Sequence, residues 1–415
     1  MTIYQIQSPK LLNVAIRLPS SKSICNRVLI LNALCSHPKS IHNLSVCDDT
    51  EAVVKALSNK QEIIDVSAAG TAMRFLTAYF AGQPGFYIIT GTERMKNRPV
   101  KILVDALRTV GAHIDYLEKE GFPPLRIQGQ KLMGGETTLD GSVSSQYISA
   151  LLMVAPTMTE GLRLHLTGRI SSKPYIAMTV QLMRQFGAAV YEKGQTFIVP
   201  PLPYTAINNF TVEADWSAAS YWYEIVALSN DREASVSLTG LYPDSLQGDA
   251  SIVYLFDLLG VQTLYTKTGI ALTKKPLAQE GLFQFDFSSM PDMAQTFAVT
   301  CAALQIPFRF QGLHSLKIKE TDRLTALQTE LRKLGYLLEI ENDNTLFWNG
   351  DRCEAESSPV IATYDDHRMA MAFAPLSLCF DKGIQIANPE VVTKSYPTFW
   401  DDLKKADFFS YFCGG

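Results

Sequence analysis

One pattern recurs four times in this chain at nearly equal spacing: an alternating apolar strand, a glycine, a polar stretch, a helix-period run and a second glycine. The copies run from Gly91 through Leu103–Val110 to Gly111, and from Gly168 through Met178–Phe186 to Gly187. They continue from Gly240 through Ile252–Leu259 to Gly260, and from Gly312 through Leu327–Leu334 to Gly335. A glycine just past a helix can adopt the left-handed conformation that closes it. The strands are Phe86–Thr90, Leu162–Thr167, Ala234–Thr239 and Pro307–Gln311, and a more apolar helix precedes each, beginning near Gly70, Ser144, Asp215 and Pro291. Two looser copies open at Ser20 and Asp365, with strands Ser40–Leu44 and Gly383–Ala387 and helices near Asp49 and Pro397. A unit repeated in this way buries its apolar face only against its neighbours, so the pattern predicts stacked α/β units. Six units divide into two halves of three, and Pro200, Pro201 and Pro203 punctuate the chain near its centre. The stretch from Asp49 to Gly70 is shorter than its counterparts, so the first unit is expected to lack part of its final strands.

Composition narrows the function class. The 415 residues fit two or three domains at roughly 150 residues each. With 37 Lys and Arg against 41 Asp and Glu, the net charge is −4, which argues against the basic surface a nucleic-acid binder needs. A small anion held by a local cluster of cations stays open. Cys25, Cys35, Cys47, Cys301, Cys353, Cys379 and Cys413 form no CxxC pair, so neither a zinc site nor a disulfide framework is expected. That usage fits a reducing, cytoplasmic setting. The N-terminal segment has no basic start followed by an apolar run, so it does not read as a secretory signal. No apolar stretch reaches the ~18 residues a membrane span needs.

Chemistry-bearing residues gather where the first helix of each unit begins. Ser20-Ser21-Lys22-Ser23, Gly70-Thr71, Ser144-Ser145-Gln146, Asp215, Asp292 and Asp366-His367-Arg368 all stand at such starts. Exposed N–H groups and the helix dipole suit these places to anions. Ser, Thr and Asp there are equally ordinary caps. Lys22, Arg27, Arg74, Arg94, Lys96, Arg98, Lys173, Lys319, Arg323, Arg368 and Lys394 lie at or near the same places. Cations at helix starts oppose the dipole, so their recurrence points to a ligand, with a solvated face as the alternative for Lys96 and Arg98. Arg suits carboxylates and phosphates because its planar fork donates paired hydrogen bonds. Asp292, Glu320, Asp322 and Asp366 are mixed among the cations, and a simple anion trap would avoid them. An enzyme that moves protons needs an acid and a base there. For Asp322 a salt bridge within the Lys319–Arg323 turn is the competing reading. No phosphate-loop or dinucleotide fingerprint is present.

The segments Ser20–Arg27, Ala69–Arg74, Arg94–Pro99, Ser144–Gln146, Ser172–Tyr175, Lys319–Arg323 and Asp366–Met371, in this order, resemble the 5-enolpyruvylshikimate-3-phosphate synthase family of enolpyruvyl transferases. The resemblance implies an α/β fold of two inside-out barrel domains, each of three repeated units, with the active site in the interdomain cleft. It implies boundaries at 20–212 for one domain, and at 1–19 with 213–415 for the other. The implied reaction moves the enolpyruvyl group of phosphoenolpyruvate to the 5-hydroxyl of shikimate 3-phosphate and releases phosphate. By the same resemblance, Lys22, Ser23, Arg27, Ser144, Ser145, Ser172, Tyr175, Asp292, Ser315 and Lys319 hold shikimate 3-phosphate. Lys22, Gly70, Arg94, Gln146, Arg323, Arg368 and Lys394 hold phosphoenolpyruvate. Asp292 is the implied base, and Glu320 or Lys22 the implied acid. No cofactor or metal ion, no membrane and no nucleic acid are implied, and a monomer is expected. Ala68 and Phe75 depart from the family's usual Asn and Pro, and Ser315 stands where some members have Asn. Gly70 is kept where a side chain would crowd phosphoenolpyruvate, so sensitivity to glyphosate-like mimics is expected. The rivals are a UDP-N-acetylglucosamine enolpyruvyl transferase, a non-catalytic anion-binding protein on the same fold, and an RNA-processing relative. Against the first, no cysteine lies between Cys47 and Cys301, where that enzyme's cysteine loop falls. Asp292 and Glu320 count against the second, and the acidic charge balance against the third.

Overall fold

The computed structural model describes residues 2–58 and 61–412. The chain forms two compact units, Ser20–Val212, and Met1–Pro19 together with Glu213–Gly415. Each has its own helical interior and its own sheets.

Six sheets are present among the described residues, five of four strands and one of two. All five larger sheets share one plan, a parallel pair extended by two antiparallel strands, which form a hairpin in four of them. In the Ser20–Val212 unit, Ile63–Asp65 runs parallel to Gly85–Thr90, which pairs antiparallel with Leu125–Gly129 and through it with His113–Tyr116. Gly135–Asp140, Leu162–Thr167, Thr196–Val199 and Tyr191–Lys193 repeat that order. The first repeat keeps a single short parallel pair, Ile41–His42 with Phe210–Thr211. In the other unit the chain's own beginning completes two sheets. Asn13–Arg17 lies parallel to Ser235–Thr239, and Ile3–Gln7 sits between Ile384–Ala387 and Phe409–Phe412.

The two helix types differ because their sequences differ. Apart from Lys22–Ala33 in the first unit, the first helix of each unit is apolar nearly all round and belongs inside. Gly70–Ala81, Ser145–Val154, Trp216–Leu228, Ala294–Ala303 and His367–Phe373 are almost wholly buried. The second helices, such as Lys101–Thr109 and Arg323–Lys333, carry a polar face and pack by the other. Strands such as Leu162–Thr167 bury alternate residues, so one sheet face covers the helices and the other meets water. The closing glycines behave as helix stops, with φ of +87° at Gly187 and +88° at Gly335, where any side chain would be strained. Cys25, Cys35, Cys47 and Cys301 are buried as small apolar residues. Cys413 lies outside the described residues.

Candidate functional site

In the Met1–Pro19 and Glu213–Gly415 unit, four cations and three carboxylates from separate segments meet around Arg323. Asp322 caps the Arg323–Lys333 helix, its carboxylate accepting from Thr325 N, so Arg323 starts the helix and turns inward. The Asp322 carboxylate also pairs with Lys317 at 3.0 Å, just ahead of the Lys319–Arg323 turn. The Arg323 guanidinium donates through Nε and one terminal nitrogen to the two oxygens of Asp366, at 2.6 and 3.2 Å. Its other donors reach Asp292 Oδ1 at 2.6 Å and Glu320 Oε2 at 2.9 Å. Lys319 stands 3.4 Å from Asp292 Oδ1, and Lys394 stands 2.8 Å from Glu320 Oε1. Arg368 approaches Asp292 Oδ2 at 3.8 Å and donates to the Asp292 carbonyl at 3.4 Å.

Burial makes this pairing obligatory. Arg323 is 2% exposed and Asp366 is fully buried. Unpaired charges at such depth cost several kcal/mol each. Asp366 serves twice, since its side chain also caps the His367–Phe373 helix through Arg368 N at 2.9 Å. Burial alone would push the Asp292 carboxyl up, but Lys319, Arg368 and Arg323 outweigh it and hold the group far below the ordinary carboxylate range. Burial lowers the Arg323 guanidinium, and the attraction of Asp366, Glu320 and Asp292 more than reverses that. Asp292 itself caps no helix, although it lies in the Pro291–Met293 turn that leads into Ala294–Ala303. Ser315, in the adjoining His314–Ile318 turn, is buried, and its Oγ has no hydrogen-bond partner among the described residues. His367 is buried beside Asp366, with 3.6 Å from Nδ1 to Oδ1.

The Ser20–Val212 unit carries a second cluster at its helix starts. Ser21 caps the Lys22–Ala33 helix, and Lys22 pairs with Asp49 at 3.3 Å. Arg27 lies one turn further on and is buried. It donates to Thr179 Oγ1 at 2.7 Å, to the Ser23 carbonyl at 2.8 Å, and more loosely to Ser149 and the Tyr175 carbonyl. Its guanidinium lies over the Phe75 ring at 5.3 Å. Burial lowers its pKa to about 10, against the opposing effect of Tyr175, so it stays charged at neutral pH. Arg27 thus joins the first helix to the Ser145–Val154 and Lys173–Gln185 helices. Ser144 caps Ser145–Val154 through Gln146 N, and Ser172 precedes Lys173–Gln185 in a left-handed conformation. Ser145 is buried, while Ser23, Ser172 and Tyr175 are partly exposed.

Around Gly70 the structure brings together Thr71, Arg74, Arg98 and Gln146, all candidates named from the sequence. Gln146 Nε2 reaches Thr71 Oγ1 at 3.1 Å. Arg94 is exposed on the single turn Glu93–Lys96, whereas Arg98, just beyond that turn, covers Gly70. A Cβ at Gly70 would stand 2.4 Å from an Arg98 terminal nitrogen and 2.8 Å from its Cζ. Arg74 is buried and ties the two segments, donating to the Gly70 carbonyl at 3.0 Å and the Pro99 carbonyl at 3.2 Å. The nearby Lys96 pairs with Glu93 and Glu118 at the surface. The sequence leaves Arg98 between a ligand and a solvated face, and the proline after it, which ends the turn, fixes its departure.

Comparisons with known proteins give the family and the fold. The EPSP synthase (3-phosphoshikimate 1-carboxyvinyltransferase) family matches the chain over residues 6–61 and 55–403. A 3-phosphoshikimate 1-carboxyvinyltransferase of Bacteroides fragilis is 56% identical over 406 residues, covering 98% of each chain. One from Photobacterium profundum is 35% identical over 426 residues, covering 96% of this chain and 97% of its own. Among solved structures, an EPSP synthase of Acinetobacter baumannii superposes over 100% of both chains with a TM-score of 0.78 at 19% identity. The enolpyruvyl transferase NikO of Streptomyces tendae covers 100% of this chain and 99% of its own with a TM-score of 0.76 at 15% identity. At those identities the two structures speak for the fold alone.

Proposed function

This chain belongs to the EPSP synthase family, and we infer that it is a 3-phosphoshikimate 1-carboxyvinyltransferase. It transfers the enolpyruvyl group of phosphoenolpyruvate to the 5-hydroxyl of shikimate 3-phosphate, with release of phosphate, in the shikimate pathway. The observation that carries the mechanism is the cluster around Arg323. Its cations suit two anionic substrates, and two of its carboxylates, Asp292 and Glu320, are partly exposed among those cations.

In this reading Arg323, Arg368 and Lys394 hold phosphoenolpyruvate, and Gly70, Gln146 and Lys22 keep the roles the resemblance gives them. Arg94 keeps the role the resemblance gives it, and Arg98 joins the group because its guanidinium lies against Gly70. Lys319, Ser315, Ser23, Ser144, Ser145, Ser172 and Tyr175 receive shikimate 3-phosphate, and Arg27 braces that group from beneath through its contacts to Ser23 and Tyr175. Fixed cations offset the repulsion between two anions without reorganising at the moment of reaction.

Asp292 is the base. With no substrate bound, its neighbouring cations make it a weak proton acceptor. Bound phosphate and carboxylate groups draw on the same cations, which raises its proton affinity when the 5-hydroxyl is in place. Glu320 or Lys22 is the acid: Glu320 lies between Lys394 and Arg323, cations that favour its ionised form, so it holds a proton only once bound phosphoenolpyruvate draws on them. The acid protonates the methylene carbon, the hydroxyl attacks the resulting cationic centre, and a tetrahedral intermediate forms. Loss of phosphate then reverses the two roles. The assay is phosphate release with both substrates present and with each omitted. Release only with both is expected, and silence with both would remove the reading.

A further inference from the structure

The C-terminal unit holds a buried carboxylate that this mechanism does not use. Asp249, in the Gly248–Ser251 turn, is 3% exposed. Ser217, in the first turn of the Trp216–Leu228 helix, donates its hydroxyl to Asp249 Oδ2 at 2.5 Å. The same oxygen of Ser217 accepts from a terminal nitrogen of Arg368 at 3.3 Å. The turn has a second attachment. Gln247 already fastens it, accepting from Trp216 N at 3.1 Å and donating to the Ala214 carbonyl at 2.8 Å and to Glu213 at 2.7 Å.

We propose that Asp249 is a positioning residue for the reaction: through the Ser217 hydroxyl it aims the Arg368 guanidinium at the anionic substrate. This rests on the reading that Arg368 holds phosphoenolpyruvate. An ionised Asp249 can only accept, so the Ser217 proton points to it and the Ser217 lone pair faces Arg368. A neutral Asp249 can donate instead, which turns the hydroxyl proton toward Arg368 and sets donor against donor. Arg368 is also anchored on Asp292, whose carbonyl accepts at 3.4 Å and whose carboxylate is 3.8 Å away. The Asp292 carboxylate takes up a proton during the reaction and loosens its part of that hold at that moment. Asp249 exchanges no proton with substrate, so its hold lasts through the chemical step.

The groups facing Asp249 set its titration. Burial pushes its carboxyl up to about 6, the Ser217 hydrogen bond and Arg368 pull it down, and Asp215 and Asp292 push it further up. The switch therefore falls within the range where kinetics can be measured.

The test is steady-state kinetics of the wild type, Asp249→Asn and Ser217→Ala from about pH 5 to about pH 8, with Arg368→Lys as control. Phosphate monoesters titrate near pH 6 themselves, so the ratio of variant to wild type is the readout. At the alkaline end, Asp249→Asn is expected to raise KM for phosphoenolpyruvate about tenfold. KM for shikimate 3-phosphate should change less than about twofold, and Ser217→Ala should behave alike. As pH falls through 6 the ratio should shrink toward one, because the wild type loses the same charge. The double variant should be no worse than either single one. A ratio that does not depend on pH, an equal rise in both KM values, or a change in Tm alone would overturn the proposal. If Asp249→Asn does not fold, Ser217→Ala decides on the same ratio. A wild type without turnover, or an Arg368→Lys variant with unchanged KM for phosphoenolpyruvate, would instead sink the underlying reading.

Discussion

At the scale of single residues, neighbouring carboxylates of one type are tuned in opposite directions. Asp292 is held far below the ordinary range and Asp249 is raised to about 6. For Asp292 the folded value lies below the unfolded one. Its charge therefore stabilises the fold above the unfolded pKa, and that stability is lost only as pH falls toward the folded value. Asp292→Asn is expected to lower kcat by about 10²–10⁴-fold while shikimate 3-phosphate still binds. Retention of near-normal kcat would remove Asp292 from the base role. Asp249 has the opposite sign. Its folded value of about 6 exceeds the ordinary 3.8, so the fold binds the proton more tightly and loses stability as pH rises between the two. The ionised form then costs about 3 kcal/mol at neutral pH. Asp249→Asn should therefore raise Tm by several degrees near pH 7.5 and leave it almost unchanged near pH 4. A fall in Tm at neutral pH would show that the packing of the carboxylate outweighs its charge.

At the scale of elements, what the sequence made legible was local. The helix stops at Gly187 and Gly335 follow from backbone geometry at one residue, and the strand Leu162–Thr167 follows from a period of two. The buried first helices follow from being apolar on every side. The clustering of Lys319, Arg323, Arg368 and Lys394 was legible as recurrence at helix starts. The partners were not, because they are distant in sequence: 43 residues separate Arg323 from Asp366, and Ser217 lies 151 residues from Arg368. Arg94 and Arg98 were indistinguishable by spacing because the helix between them is one turn long. Where it ends decides which guanidinium reaches Gly70. Arg98→Ala should raise KM for phosphoenolpyruvate by about tenfold or more, since a charged contact is lost. Arg94→Ala, measured beside it, shows whether the guanidinium on the turn or the one beyond it carries phosphoenolpyruvate. Equal effects would mean that the turn does not separate them. Gly70→Ala places a methyl where Arg98 now lies, and the flexible guanidinium must shift. Weaker binding of both phosphoenolpyruvate and its glyphosate-like mimics is expected, readable as parallel rises in KM and inhibition constant.

At the scale of the whole molecule, the chain order and the folded units do not coincide. Residues 1–19 belong with residues 213–415. Ile3–Gln7 is an inner strand of its sheet, antiparallel to Ile384–Ala387 on one side and to Phe409–Phe412 on the other. Asn13–Arg17 forms the parallel edge against Ser235–Thr239. Ile6, Leu12, Ile16 and Leu18 enter the same apolar core as Trp216, Trp222 and Phe297. Deleting residues 2–18 takes four buried side chains from that core, at roughly 1.5–3 kcal/mol each, and leaves inner-strand N–H and C=O groups unpaired. That loss is comparable with the stability of a whole domain. The Ser20–Val212 unit loses nothing of its own by it, because its sheets and inner helices come entirely from within that span. The deletion should therefore abolish amide-exchange protection at Ser235–Thr239 and Ile384–Ala387 while Leu125–Gly129 and Leu162–Thr167 stay protected. A peptide of residues 2–19 added in trans should restore the lost protection in proportion to its concentration. Equal loss of protection in both spans would mean that the units share one cooperative transition.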